Sequence, residues 1–453
     1  MKRVILLSLL IAIAGFLPAQ SLTLHDTVQF PFIVNSLGDV GSSDCWGWTD
    51  SLGNDYAIMG NSDHVAFVRA SDGAVLDTIQ VSKQGDGYYH RDFKNYGSYC
   101  YAVSEMSGKR EGLVVIDMKY LPDSVHFVGA FDASQTFVKS HNLSIDVNEG
   151  FLYAEADEFL GNNGVEIFDL ADPEAPVKVG FLSVNNTHDI VARNDTVWVA
   201  EGYTKAFSVY DLSDKNNPVV IGRVTDPAFG YCHQIWPSDD GNFFYTTEET
   251  SNKTIKIWDA TDMNNITKRG EILGANDLAH NTHTMGDLLV TSHYTAGVTI
   301  VDVSDPDVPV EIARYDTYPQ NDIDDFYGCW GAFPYTENGY IYASNFEGTL
   351  FILDWDINLV GTEAPSDLSD GKCWPNPVTN YSNIPLRLSA SMQVDVVILD
   401  IQGRVLDNVF SGQLDEGNFT LPWHPRATLA NGTYFVRITA GDQARTEKLI
   451  LQR

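Results

Sequence analysis

Short apolar runs recur along the chain, each bounded by Gly, Asn, Asp or Pro, and up to about residue 360 the 3.6-residue period of an amphipathic helix is almost absent. One phrase closes most of these units: "GLVVIDM" from Gly112, "GVEIFDL" from Gly164, "AFSVYDL" from Ala206, "TIKIWDA" from Thr254, "GVTIVDV" from Gly297 and "GTLFILD" from Gly348. Four copies continue into "ADPEAP", "SDKNNP", "TDMNN" or "SDPDVP", where Asp caps a bend and the chain restarts into another apolar run such as "VKVGFLSV" or "VEIARYDT". Such a repeat predicts short antiparallel strands built as one module after another.

Polar positions repeat in the same register. His90, His141, His188, His233 and His280 each open a strand, Trp46 and Trp330 take that place in the first and last units, and the spacings are 44, 51, 47, 45, 47 and 50 residues. Thirteen to fifteen residues beyond each stands Asn61, Glu105, Glu155, Glu201, Glu248, His293 or Asn345. Midway lie turn residues: Gly53-Asn54, Gly97-Ser98, Asn148 to Gly150, Asn194-Asp195, Asp240-Gly241, Gly286-Asp287 and Asn338-Gly339. Each pair therefore spans a β-hairpin. Seven four-stranded units predict an all-β chain led by a seven-bladed β-propeller over residues 21–361, with "LTLHDTVQFPFIV" (22–34) completing the last blade. The first strand of each blade lines the axis. Five histidines and two tryptophans are thus expected around one channel mouth, beside Glu105, Glu155, Glu201 and Glu248.

The phrases "SHNLSIDVNEGFLYAEADE", "GVEIFDLADPEAPVKVG", "AHNTHTMGDLLVTSHYTAGVTIVDVSDPDVPVEIARYDTYP" and "GCWGAFPYTENGYIYASNFEGTLFILD" resemble the LVIVD-type repeats of choice-of-anchor B proteins over roughly residues 40–357. The resemblance implies an exported bacterial surface propeller. The first unit departs from it, with "FVRASDG" where the others have an aliphatic run ending in Asp. A Ser, Asp, Gly and Pro-rich linker, 362–372, leads to a tail, 373–453, whose alternating runs "VDVVILD" and "TYFVRITAG" and a turn at Gln402-Gly403-Arg404 predict a small β-sandwich. Its "PNP", D-x-x-G-R-V, L-x-x-G-x-Y-x-x-R-I and terminal K-L-I-L series is similar to the C-terminal sorting domain of the type IX secretion system of Bacteroidota. That resemblance implies passage across the outer membrane by type IX machinery, removal of the tail, and release or attachment at the cell surface.

Composition narrows the partners. The start, "MKRVILLSLLIAIAGFLPAQ", reads as a secretion signal over residues 1–20, and no later apolar run is long enough to span a membrane. With 28 Lys+Arg against 61 Asp+Glu the formal charge is -33, which argues against nucleic acid and anionic membrane as partners. Five cysteines, Cys45, Cys100, Cys232, Cys329 and Cys373, are too scattered for a disulfide framework. Cys45 and Cys329 hold equivalent places in units that close the ring, as a disulfide or as buried thiols.

The polar ring has two readings. In one, each blade spends a His/Glu pair, such as His188 with Glu201 or His233 with Glu248, on a buried hydrogen bond between its first two strands. In the other, His280, His283 and His293, with glutamates of neighbouring blades, form a metal-competent cluster suited to zinc or copper. Repetition favours the structural reading. No G-x-S-x-G elbow, phosphate-binding glycine loop or Rossmann fingerprint is present. Asp169, Asp211, Asp259 and Asp302 recur as turn anchors, and "NDIDD" (321–325) reads as a solvated loop rather than a calcium site. The expectation is a binding or adhesion module for a glycan, peptide or surface polymer that needs no cofactor. The alternative is a metal-dependent enzyme using the ring, with zinc or calcium as its ion.

Overall fold

A computed structural model describes residues 22–355 and 376–452, apart from short stretches at 32, 36–37, 82–89, 107–109, 132–138, 157–162, 275–277, 377, 389–390, 400–403, 416, 427–428 and 441–442. The expected secretion signal (1–20), the linker (362–372) and most of the Gln402-Gly403-Arg404 turn lie outside the described residues. The chain divides into two compact units, Pro18–Asn358 and Leu359–Arg453. Among the described residues no helix is long and apolar enough to cross a membrane.

The first unit is built from seven four-stranded antiparallel sheets. Blade 1 consists of Ser42–Thr49, Asp55–Asn61, His64–Arg69 and Ala74–Gln80. Blades 2 to 6 follow in the same strand order, their innermost strands being Arg91–Tyr96, Leu143–Asp146, Asp189–Arg193, Cys232–Pro237 and Thr282–Met285. In blade 7, Cys329–Phe333, Tyr340–Asn345 and Thr349–Trp355 take their fourth strand from the other end of the unit: Leu22–Gln29 pairs antiparallel with Thr349–Trp355. The innermost strands neighbour one another in order, and that of blade 7 lies against that of blade 1, so the ring closes. Of the expected closing segment 22–34, only Leu22–Gln29 joins blade 7. Ile33–Asn35 forms a separate hairpin with Gly38–Val40.

Local chemistry explains the repeat. Third strands are buried along most of their length, as in Val114 to Asp117 or Phe207 to Tyr210, because neighbouring blades cover both faces. Fourth strands lie at the rim and are largely exposed. In blades 3 to 6 the Asp that ends the third strand accepts the backbone N–H two residues on, from Ala171 to Asp169 (2.7 Å), Ser213 to Asp211 (2.8 Å), Thr261 to Asp259 (3.1 Å) and Ser304 to Asp302 (2.9 Å). These carboxylates are turn anchors, as their position predicts. The inner hairpins turn where expected; Asn194 (φ 51°) and Asp195 (φ 60°) occupy left-handed backbone without the help of glycine.

Inner strands would expose a row of polar backbone groups to the next blade, and polar side chains meet part of that demand. Asp92 accepts Leu143 N–H (2.8 Å), Asn142 accepts Ile190 N–H (3.1 Å) and Gln234 accepts Thr282 N–H (2.5 Å). Cys45 and Cys329 are free, buried thiols, and burial raises the pKa of both. Ring closure rests on the shared blade rather than on a disulfide.

The second unit is a small sandwich. One sheet runs Val405–Leu414, Met392–Leu399, Gly432–Ala440 and Gln443–Leu451; the other pairs Ser382–Leu388 with Gly417–Trp423. Val394, Val396, Ile398, Val436 and Ile438 share one core with Ile384, Leu386 and Trp423, the alternation that the sequence shows.

Candidate functional site

Six aromatic rings close a hexagon around the channel mouth at which the inner strands begin. In order they are Trp330, His90, His141, His188, His233 and His280, with centroid separations of 4.3, 5.3, 4.6, 4.3 and 4.3 Å, and 4.3 Å from His280 back to Trp330. Trp46 is not a member. In blade 1 the residues between Ser42 and Cys45 bulge from the ladder, as His233 and Trp330 do in blades 5 and 7, so the equivalent place falls on Ser43. Ser43 bonds the backbone of Arg91 through its hydroxyl, and its small side chain lets the Trp330 indole reach His90 directly.

Trp46 lies three residues deeper, at the level of Trp236 and His283. His283 stands edge-on to Trp236 (4.3 Å) and to Trp46 (5.9 Å), with Tyr335 beside all three. Trp46 donates its indole N–H to Asn95 (2.8 Å), and Lys94 lies over its ring at 4.2 Å. These rings form a second, aromatic tier below the hexagon. Between the tiers is a narrow polar cavity lined by Asp44, Asp92, Lys94, Asn142, Asp189 and Gln234. Lys94 pairs with Asp92 (2.8 Å). Burial, with the Asp92 carboxylate nearby, pushes Asp44 well above the usual carboxylate range and Asp189 to about 7.

The histidines are fixed by the backbone of the next blade. His188 Nδ1 lies 3.0 Å from the His233 carbonyl, His233 Nδ1 3.1 Å from the His280 carbonyl, and His280 Nδ1 2.6 Å from the Trp330 carbonyl. A carbonyl only accepts, so in each case Nδ1–H donates and Nε2 keeps its lone pair. Burial, followed by the neighbouring imidazoles, lowers the pKa of His188 and His233 far below the ordinary value, and burial does the same for His280. Three neutral imidazoles therefore stand side by side.

The glutamates divide. Glu105 sits in the hexagon, 2.8 Å from His90 Nδ1 and 3.3 Å from His141 Nδ1. Burial opposes its charge, but the two imidazoles hold it well below the usual range; burial also opposes charge on His141, and Glu105 overrides it, with Glu155 and Glu249 adding to a pKa of about 10. Glu155 accepts the backbone N–H of His141 (3.0 Å). Glu201 and Glu248 do not reach the histidines expected to pair with them. Glu201 turns outward to Arg223 (2.5 Å) and Ser208, and Glu248 to Lys256 and the Gly230 N–H (2.5 Å), because cations on the third and fourth strands of their own blades lie within reach. His293 is equally remote: it is buried against Gly274, whereas His283 belongs to the lower tier, so His280, His283 and His293 do not converge. The acidic loop 321–325 is largely exposed and gathers no such cluster.

The group that sequence register misses is Glu249, one residue beyond the repeat position. Its carboxylate lies 3.9 Å from His233 Nε2 and 3.8 Å from His280 Nε2, and it accepts the Tyr294 hydroxyl. Burial raises its pKa to about 7. The only trace in the sequence is the doublet Glu248-Glu249. Aromatic residues lead outward from the hexagon: His188 meets Tyr231 (5.0 Å) and Tyr231 meets the exposed Tyr203 (4.6 Å), while His280 meets Tyr294 (5.1 Å) and Tyr294 meets the exposed Phe326 (5.2 Å).

No match was found among curated proteins. The tail is decisive for location. Residues 372–452 match the family model of the secretion system C-terminal sorting domain. The protein is therefore exported, handled by the type IX secretion machinery, and comes to rest at the cell surface or outside the cell.

Proposed function

We propose that this chain is a surface propeller of the choice-of-anchor B kind, a non-catalytic binding module whose histidine and tryptophan mouth engages a glycan. The observation that carries the reading is the pair of aromatic ladders, Tyr203–Tyr231–His188 and Phe326–Tyr294–His280, rising from the polar hexagon to exposed rings. Sugar rings pair an apolar face with a hydroxyl rim; the exposed rings at the ends of the two ladders offer a partner for the face, and the half-buried His90, Glu105 and His141 elsewhere in the hexagon polar partners for the rim. The domain scheme fits an exported tool: a removable signal at 1–20, the working propeller at 21–361, a linker at 362–372 and an address at 373–453.

Glycan-array screening of the purified propeller, followed by calorimetry on the best binder, tests this. Tyr203→Ala is expected to weaken binding about tenfold, the value of one stacked aromatic of roughly 1.4 kcal/mol. Binding indifferent to Tyr203 and Phe326, or binding of peptides alone, overturns it.

A further inference from the structure

We infer that His233, His280 and Glu249 form a binding site for one divalent transition-metal ion of the zinc class. The ligand atoms of these three side chains all lie within 4.8 Å of one another. Both imidazoles are held by Nδ1–H bonds to backbone carbonyls, the outer-shell arrangement that aims a metal-binding histidine and leaves Nε2 as the donor. His233 is 2% and His280 1% exposed, and His280 Nε2 has no hydrogen-bond partner. A buried nitrogen lone pair without a donor is costly, and a cation relieves it.

The gaps fit an ion better than hydrogen bonds. His233 Nε2 to Glu249 Oε2 is 3.9 Å and His280 Nε2 to Glu249 Oε1 is 3.8 Å, beyond any hydrogen bond. Zinc sits about 2.0–2.2 Å from nitrogen and carboxylate oxygen, so two ligands at a tetrahedral angle stand roughly 3.4 Å apart. The His–Glu gaps exceed that separation by about half an ångström, and all three ligand atoms lie within 4.8 Å, so side-chain adjustment without backbone rearrangement would bring them onto one ion. The other cluster in the hexagon behaves differently: Glu105 already bridges His90 and His141 at 2.8 and 3.3 Å and satisfies itself as an ion pair.

Glu249 is also placed for the purpose. The position after each second-set residue holds Ser62, Met106, Ala156, Gly202, Tyr294 and Phe346 in the other blades, so blade 5 alone carries an acid there. Tyr294, the equivalent residue of the next blade, donates its hydroxyl to that carboxylate and fixes its orientation. Two neutral imidazoles and one carboxylate leave at least one position of a tetrahedral ion open for an outside ligand.

The inference places an ion in the mouth proposed above and rests on that reading only for the mouth's being a working site. The full-length chain, stripped with chelator, is titrated with Zn(II) and with Co(II) as an optical probe, with no carbohydrate present. One equivalent per chain is expected, with visible Co(II) absorption. Glu249→Gln and His280→Gln are each expected to weaken binding at least tenfold, and His293→Gln to leave it unchanged. Should His280→Gln fail to fold, Glu249→Gln and Tyr294→Phe decide, the latter with a several-fold loss. Absence of stoichiometric binding, or binding lost with Glu105→Gln but kept with Glu249→Gln, overturns the site. Metal binding without any glycan binding leaves this site standing and removes only the carbohydrate reading.

Discussion

At the level of single residues, register finds positions but not partners. His90, His141, His188, His233, His280 and Trp330 are in the hexagon because a repeat must return its strand starts to the same mouth. Trp46 breaks the pattern by three residues: Ser43, 47 positions before His90, is the true equivalent, and the 44-residue spacing to Trp46 was the shortest of the series. His293 carries a consequence for pH. Burial, with Arg314 nearby, lowers its pKa to about 4 in the folded chain, against the ordinary 6.5. A histidine held neutral in this way contributes stability above pH 6.5, and that contribution drains away as pH falls from 6.5 towards 4. The slope is about 1.4 kcal/mol per pH unit, or roughly 3 kcal/mol in all. Urea unfolding of the parent and of His293→Leu between pH 7.5 and 4.5 should show the flatter acid limb in the variant; parallel curves would contradict it.

At the level of elements, strands and turns are legible because their signals are local. The alternation of apolar residues, the Asp that ends the third strand of blades 2 to 6 and the left-handed turn at Asn194-Asp195 need no distant partner to be understood. Closure is less local. Leu22–Gln29 finds Thr349–Trp355 more than three hundred residues away, with a shift of register between Leu24 and Asp26. Deleting residues 22–29 after the secretion signal leaves Thr349–Trp355 as a bare edge in blade 7. The shortened protein should elute partly as aggregate in size-exclusion chromatography and melt at lower temperature. Parent-like elution with an unchanged melting temperature would show that blade 7 closes without this strand.

At the level of the whole molecule, two cores divide the work. The propeller completes its ring by Trp355, and the sandwich buries its own Val, Ile and Trp residues. Neither contributes a strand to the other's sheets among the described residues. Each is expected to fold alone. A 20–361 fragment should unfold cooperatively and keep the ligand binding of the full chain, and mass spectrometry of the secreted form should find its C-terminus between about residues 356 and 372. A fragment that fails to fold, or a secreted chain reaching Arg453, would make the tail part of the working protein.

Hydrophobic period, turn residues and the returning phrase were sufficient by themselves for the all-β class, the number of blades and the separate tail, because strand period and turn chemistry are properties of neighbours in the chain. The address was legible for the same reason: the tail's motifs are contiguous. The tertiary structure decided everything that depends on direction. Glu201 and Glu248 share a register with Glu105, yet cations of their own blades draw both away from the mouth. Glu249, out of register by one residue, falls beside His233 and His280 because consecutive residues at the end of a strand face opposite ways. Which side chains meet across seven blades is set by bulges and by competing partners, and neither is written as a period in the sequence.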